Sequence, residues 1–318
     1  MPANHRLPRS WSRRSILVAL AAGAVTALSV TTLSGCQVQL EEGAPRIPLV
    51  PTRVPMKDEK ALLAVLGRTT ALELLAKSAG SSTTSMPGQL SAVHATQVGV
   101  IARLLREGGV PESMIGASTL TRPTTNPTAP AAVLSDVERD SVSDIVLADL
   151  ANAHVALIGS MLAQRLAAVT LLGAIVAPVV PSGLKGAEAV RLLAGTRAVV
   201  YGFEVVAAQI DSTGRPLARS TLASLRTRAS ELETLVGSSS TPPPLGYQLP
   251  FPVTDTDSAK RLALHLLKAL LTSHAAALEP ATGHATALAL LVQWLGATEA
   301  IASQWGAPLA AFPGLTNG

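Results

Sequence analysis

Residues 58–79 place Leu62, Val65, Leu66, Thr69, Leu72 and Ala76 three and four apart, the apolar stripe of an amphipathic helix. A Gly/Ser/Thr break at 80–85 leads into residues 89–106, where Val93, Val100, Ile101, Leu104 and Leu105 repeat the pattern. Gly108-Gly109-Val110-Pro111 stops that helix, and the following two dozen residues, with Pro123, Pro127 and Pro130, read as a loop. Ser135-Asp136-Val137-Glu138 then has the spacing of a capping box, which predicts a long helix from Ser135 to about Val176. Its first turns are acidic, as the helix dipole favours. From His154 onward it is apolar nearly all round, interrupted mainly by Gln164 and Arg165, so other helices must cover it. The C-terminal half is expected to supply that cover.

Pro178, Pro181 and Gly183 separate the halves, and four more helical patterns follow at about 185–210, 216–236, 256–279 and 283–305. Short turns at 211–216 and 280–283 join them in pairs. A long crossover, residues 237–255, connects the pairs and carries Pro242, Pro243, Pro244, Pro250 and Pro252. Two hairpins joined by one long connection is the connectivity of a ferritin-like bundle. The expected fold class is therefore all-α, a C-terminal ferritin-like four-helix bundle at 184–315 behind an N-terminal helical region at 57–178.

Ahead of the helices the pattern changes. Arg13-Arg14 precedes a run without charge from Ser15 to Leu40, and Leu33-Ser34-Gly35-Cys36 holds the chain's single cysteine. Cationic, apolar and small residues in that order form an export signal. The stretch resembles a twin-arginine signal joined to a lipobox, with Ile16 and Val18 where Phe and Lys are usual. That resemblance implies cleavage before Cys36 and lipidation of its sulfur, which gives stable anchoring in the membrane lipid. By length the same run also reads as an uncleaved transmembrane helix, a reading that Thr26, Ser29, Thr31, Thr32 and Ser34 weaken. Either way the bulk of the chain is expected outside the cytoplasm. Residues 37–56, with Pro45, Pro48, Pro51 and Pro55, read as an extended tether.

Charge narrows the partners. The formal net charge of +4 arises in the signal, because residues 1–35 hold Arg6, Arg9, Arg13 and Arg14 and no acid. Taking those four from 25 basic residues leaves 21 against 21 acidic ones, a mature chain of zero formal charge. No basic surplus remains for nucleic acid. Aromatic residues make up only 3% of the chain, too few for a base-stacking platform or an aromatic cofactor box.

The crossover from Tyr247 to Asp255, the helical stretch from Val199 through Tyr201 to Gln209, and the ending Trp305-Gly306 with Phe312-Pro313-Gly314-Leu315 resemble an actinobacterial ferritin-like domain family of unknown function. The resemblance covers roughly residues 184–315. It implies a Glu-His pair five residues before the tyrosine and a histidine in the Arg-rich second helix; here those positions are Thr196, Arg197 and Leu225. A ferritin-like di-iron centre also needs Glu-x-x-His units, and the sequence contains none.

The remaining polar candidates are few. Folding the last hairpin about residue 281 sets Glu299 level with His265, a candidate metal or polar-core pair to which Glu204 and Glu231 are added. His274 falls among Leu267, Leu270, Leu271 and Leu278 and reads as a hydrogen-bonded core histidine; His94 comes level with Glu73. Arg197 is expected to face Glu231, and Glu204 to meet Arg226 or Arg228. An anion pocket built from Arg197, Arg226 and Arg228 is the functional alternative to those ion pairs. Nucleophile-elbow, phosphate-loop and dinucleotide fingerprints are absent from the sequence. The expectation is a non-enzymatic, lipid-anchored envelope protein without cofactor, a scaffold or a module binding another envelope protein. The alternative is a metal-binding or oxidase-like ferritin relative.

Overall fold

The apolar stripes become helices. Among the described residues there are nine α-helices and no strand: α1 (Glu59–Ala79), α2 (Met86–Glu107), α3 (Glu112–Thr119), α4 (Ala131–Ser143), α5 (Asn152–Leu171), α6 (Gly186–Gln209), α7 (Arg215–Val236), α8 (Thr256–Ala276) and α9 (Ala285–Gln304). The computed structural model describes residues 53–80, 82–119, 131–143 and 146–315. The chain divides into two units, Met1–Arg53 and Val54–Gly318. The stretch read as an export signal with Arg13 and Arg14, the expected lipidation site Cys36 and most of the expected tether lie outside the described residues.

Local chemistry sets several helix ends. Ser85 caps α2 by accepting from the Gly88 amide at 3.2 Å, with Pro87 in the first turn where its missing N–H costs nothing. Asp255 and Ser258 form a reciprocal capping box at the start of α8, at 2.7 and 3.1 Å. Gly109, at φ 75°, takes the left-handed turn after α2.

Two expectations fail here. The loop predicted after residue 111 contains α3, an eight-residue helix whose buried residue, Ile115, anchors it to the core. The long helix predicted from Ser135 does not form. α4 begins at Ala131 and ends at Ser143, and the chain passes through a single 3-10 turn at Leu147–Asp149 before α5 starts. Ser135 is inside α4 with a buried hydroxyl that meets no partner, so it caps nothing. The start of α5 is held instead by the residue that precedes α1. Asp58, at φ 63°, accepts the Ala151 amide and His154 Nδ1, both at 2.8 Å. A non-glycine residue in the left-handed region carries a conformational cost, offset here by two bonds to one carboxylate.

Packing makes Val54–Gly318 one unit. α1 and α2 form a hairpin, α6 pairs with α7 and α8, and α8 pairs with α9. Side-chain bonds from Arg228 to Thr298 and from Trp305 to Thr221 join α7 to α9. α5 and α9, each 20 residues and apolar enough by length and composition to cross a bilayer, bury most of that surface inside the unit. They approach so closely that a Cβ at Gly296 would lie 2.6 Å from the Ala163 carbonyl oxygen. One core therefore runs from Leu62 and Ile101 through Ile158 and Met161 to Phe203, Leu267 and Leu291. Each such side chain contributes about 1.5–3 kcal/mol on burial.

Candidate functional site

Between α7, α8 and α9 the apolar core is broken by a cation. Arg228 is only 5% exposed. Its Nη1 donates to Thr298 Oγ1 at 2.7 Å, and Thr298 in turn donates to the Trp294 carbonyl. The guanidinium carbon stands 5.8 Å from the Trp294 ring centroid, and the His274 ring packs on the same indole at 6.0 Å. Burial lowers the Arg228 pKa to about 10, with Glu231 pulling the other way, so the group stays charged at neutral pH. His274 is fully buried and neither ring nitrogen has a hydrogen-bond partner. Its pKa is held well below the usual imidazole value by burial first, then by the charges of Arg228 and Arg191. His274 is therefore a neutral core imidazole, without the hydrogen bond expected from its sequence position. Thr196, also fully buried, has an unpartnered hydroxyl.

Arg228 and Trp294 form the buried end of a cavity of about 340 Å³. Leu166, Val176 and Pro178 supply apolar wall, and Glu231 lies on the same lining. Gln293 fixes the strap after α5 by accepting from the Val179 amide at 2.8 Å and donating to the Ala177 carbonyl at 2.7 Å. A second cavity of about 470 Å³ lies by the α8–α9 turn, where the acid of its wall, Glu188, is committed to Arg191.

The four residues proposed as a metal or polar core do not meet. Glu204 is exposed and pairs with Arg226 at 2.7 Å, one of the two contacts expected for it. Glu231 is half-buried on the cavity wall. His265 points to the exposed face of α8 and packs edge-on against Phe251 at 6.2 Å. Glu299 is buried, and its Oε1 accepts the Ala310 amide at 2.7 Å; burial raises its pKa to about 7, with that amide opposing. Level in the hairpin, His265 and Glu299 are turned to different faces, so the expected pair is absent. Among the described residues no group of three or more His, Cys, Asp or Glu is placed to hold a metal. Arg197 bonds Glu233 at 2.8 Å and the Thr241 carbonyl at 2.6 Å rather than Glu231, tying the crossover to α7. With Arg197, Arg226 and Arg228 engaged separately, the three-arginine pocket does not form.

A residue match sits on this half of the chain. Residues 189–317 match a family model described as a domain of unknown function, DUF4439. No curated protein and no solved structure matches the chain. The DUF4439 match begins within α6 and takes in α7, α8, α9 and the segment that contacts Glu299, so the Arg228 site lies entirely within it apart from the α5 and strap walls.

A second buried polar cluster, built mostly from helices ahead of the DUF4439 match, pairs its residues differently from the expectation. His94 is fully buried and meets Glu138 at 2.6 Å, not Glu73. Gln97 donates to Gln164 and to the Ala311 carbonyl, so its oxygen must accept from His94 Nδ1 at 3.0 Å. Arg165, also fully buried, donates to the Ser141 carbonyl and to Thr69 Oγ1, and burial lowers its pKa to about 10 with Glu138 opposing. This cluster ties α1, α2, α4, α5 and the C-terminal segment together and is closed to solvent, so its role is structural. The signal for it was Arg165 itself, a lone cation in a helix apolar all round.

Proposed function

We propose that this is a non-enzymatic binding module of the cell envelope, anchored to membrane lipid through Cys36 after twin-arginine export. In this reading its C-terminal helices form a ferritin-like bundle that does not use a metal. The observation that carries the reading is the buried Arg228 guanidinium beside Trp294, Thr298 and neutral His274. A divalent cation within about 6 Å of a guanidinium is opposed by roughly 5 kcal/mol at an effective dielectric of about 20. Thr196, Arg197 and Leu225 stand where the family resemblance places ligands, and none of them supplies a carboxylate or an imidazole. The zero formal charge of the mature chain favours a protein or small-molecule partner over nucleic acid.

Metal analysis tests the core of this reading. The full chain, folded with excess iron or manganese and desalted, is expected to retain less than about one metal per chain. Stoichiometric metal that is lost in Glu299→Ala would return the protein to the metal-binding class. For the anchor, Cys36→Ala is expected to abolish incorporation of labelled lipid, and labelling that persists would refute it.

A further inference from the structure

We propose that the cavity walled by α5, α7, α9 and the strap after α5 binds a small organic monocarboxylate with an apolar body, its carboxylate received by Arg228. The inference deepens the binding-module reading and rests on it. A volume of about 340 Å³ suits a small molecule. The buried end of the cavity carries a guanidinium whose charge is not matched. Arg228 gives one bond to Thr298, its Nε–H is buried with no acceptor, and it makes no ion pair with Glu231 one turn away. A buried, unpaired cation is costly, and a carboxylate received at the cavity end offsets its charge.

The walls select the rest of the ligand. Trp294, Leu166, Val176, Pro178 and Ala297 offer apolar surface around the cation, and the indole face already lies against the guanidinium. Glu231 on the same lining opposes a second negative charge, which favours a monocarboxylate over a phosphate ester carrying nearly two charges. Because Gln293 holds the strap through both the oxygen and the nitrogen of its amide, this wall is present before the ligand arrives and less ordering is needed on binding.

The test is fluorine NMR of 4-fluorophenylacetate titrated with the full chain in lipid nanodiscs. Saturable line broadening is expected, with the neutral 4-fluorophenylacetamide binding at least about tenfold more weakly. Ser224→Trp, at the exposed rim of the cavity, leaves Arg228 and Thr298 in place and is expected to abolish binding. Arg228→Gln is expected to remove the preference for the acid, and its helical content by circular dichroism reports whether it folds. Equal binding of acid and amide by the native chain, or binding unchanged in Ser224→Trp, would overturn the assignment. A chain that loads no metal and binds neither probe would overturn this inference alone, whereas stoichiometric metal would overturn the reading beneath it.

Discussion

Arg165→Met tests whether the closed polar cluster holds the N-terminal helices in place. Methionine keeps most of the side-chain length but removes the bonds to the Ser141 carbonyl and Thr69 Oγ1, at 3.2 and 2.8 Å. It also removes the cation whose charge acts on Glu138, a carboxyl with no solvent exposure and one unpartnered oxygen. Hydrogen bonds to a charged group are worth about 1.5–3 kcal/mol each, so losing two from a buried guanidinium costs about 3–5 kcal/mol. In a unit of this size that corresponds to a fall in Tm of roughly 6–20 °C. Circular dichroism at 222 nm during urea and thermal unfolding of the full chain measures it. Adding Glu138→Gln removes the buried carboxyl charge while its amide N–H can donate to His94 Nε2, so the double variant is expected to recover about 1–2 kcal/mol relative to Arg165→Met. A loss below about 1 kcal/mol for Arg165→Met, or strict additivity of the two substitutions, would show that the charges do not compensate each other.

Further predictions follow from packing and titration. Gly296→Ala is expected to destabilise by about 1–3 kcal/mol, because the nearest obstacle to its Cβ is the Ala163 backbone carbonyl, which cannot rotate away. Gly99→Ala on α2, where a Cβ meets nothing within 4 Å, is expected to stabilise by up to about 1 kcal/mol, and denaturant midpoints compare the two. Glu299, with its pKa raised to about 7, stabilises the fold most fully below its usual 4.5, and that contribution is lost as pH rises through 7. Between pH 6.5 and 8 the native chain should lose about 1 kcal/mol that Glu299→Gln does not, and parallel pH profiles would refute the assignment. His274 acts in the opposite sense, since an imidazole held neutral by burial costs stability as pH falls below its usual 6.5, which is why the Glu299 measurement is made above that value.

Helix spans were legible in the sequence because their causes are local. The stripes of α1, α2 and α6 to α9 and the prolines at 178, 181 and 242–244 all act within a few residues of where they stand. The all-α class followed from those alone. α3 was hidden because eight residues give too little periodicity, and its single buried anchor matters only once α1 is beside it. The break between α4 and α5 was hidden for a related reason, since the carboxylate that holds the start of α5 belongs to Asp58, 93 residues before the Ala151 amide it receives. Polar pairing was the least legible feature. Counting back from a turn sets residues level along two helices but leaves their rotation free, and rotation is chosen by how the apolar faces interlock. That freedom sent His94 to Glu138, Arg197 to Glu233 and Glu299 to a backbone amide, and it turned Arg228 inward while Arg226, two positions earlier, stayed on the surface. The sequence could mark Arg228 as one of a basic run. Only the packing of α7 against Trp294 and Thr298 made it the buried cation of a cavity.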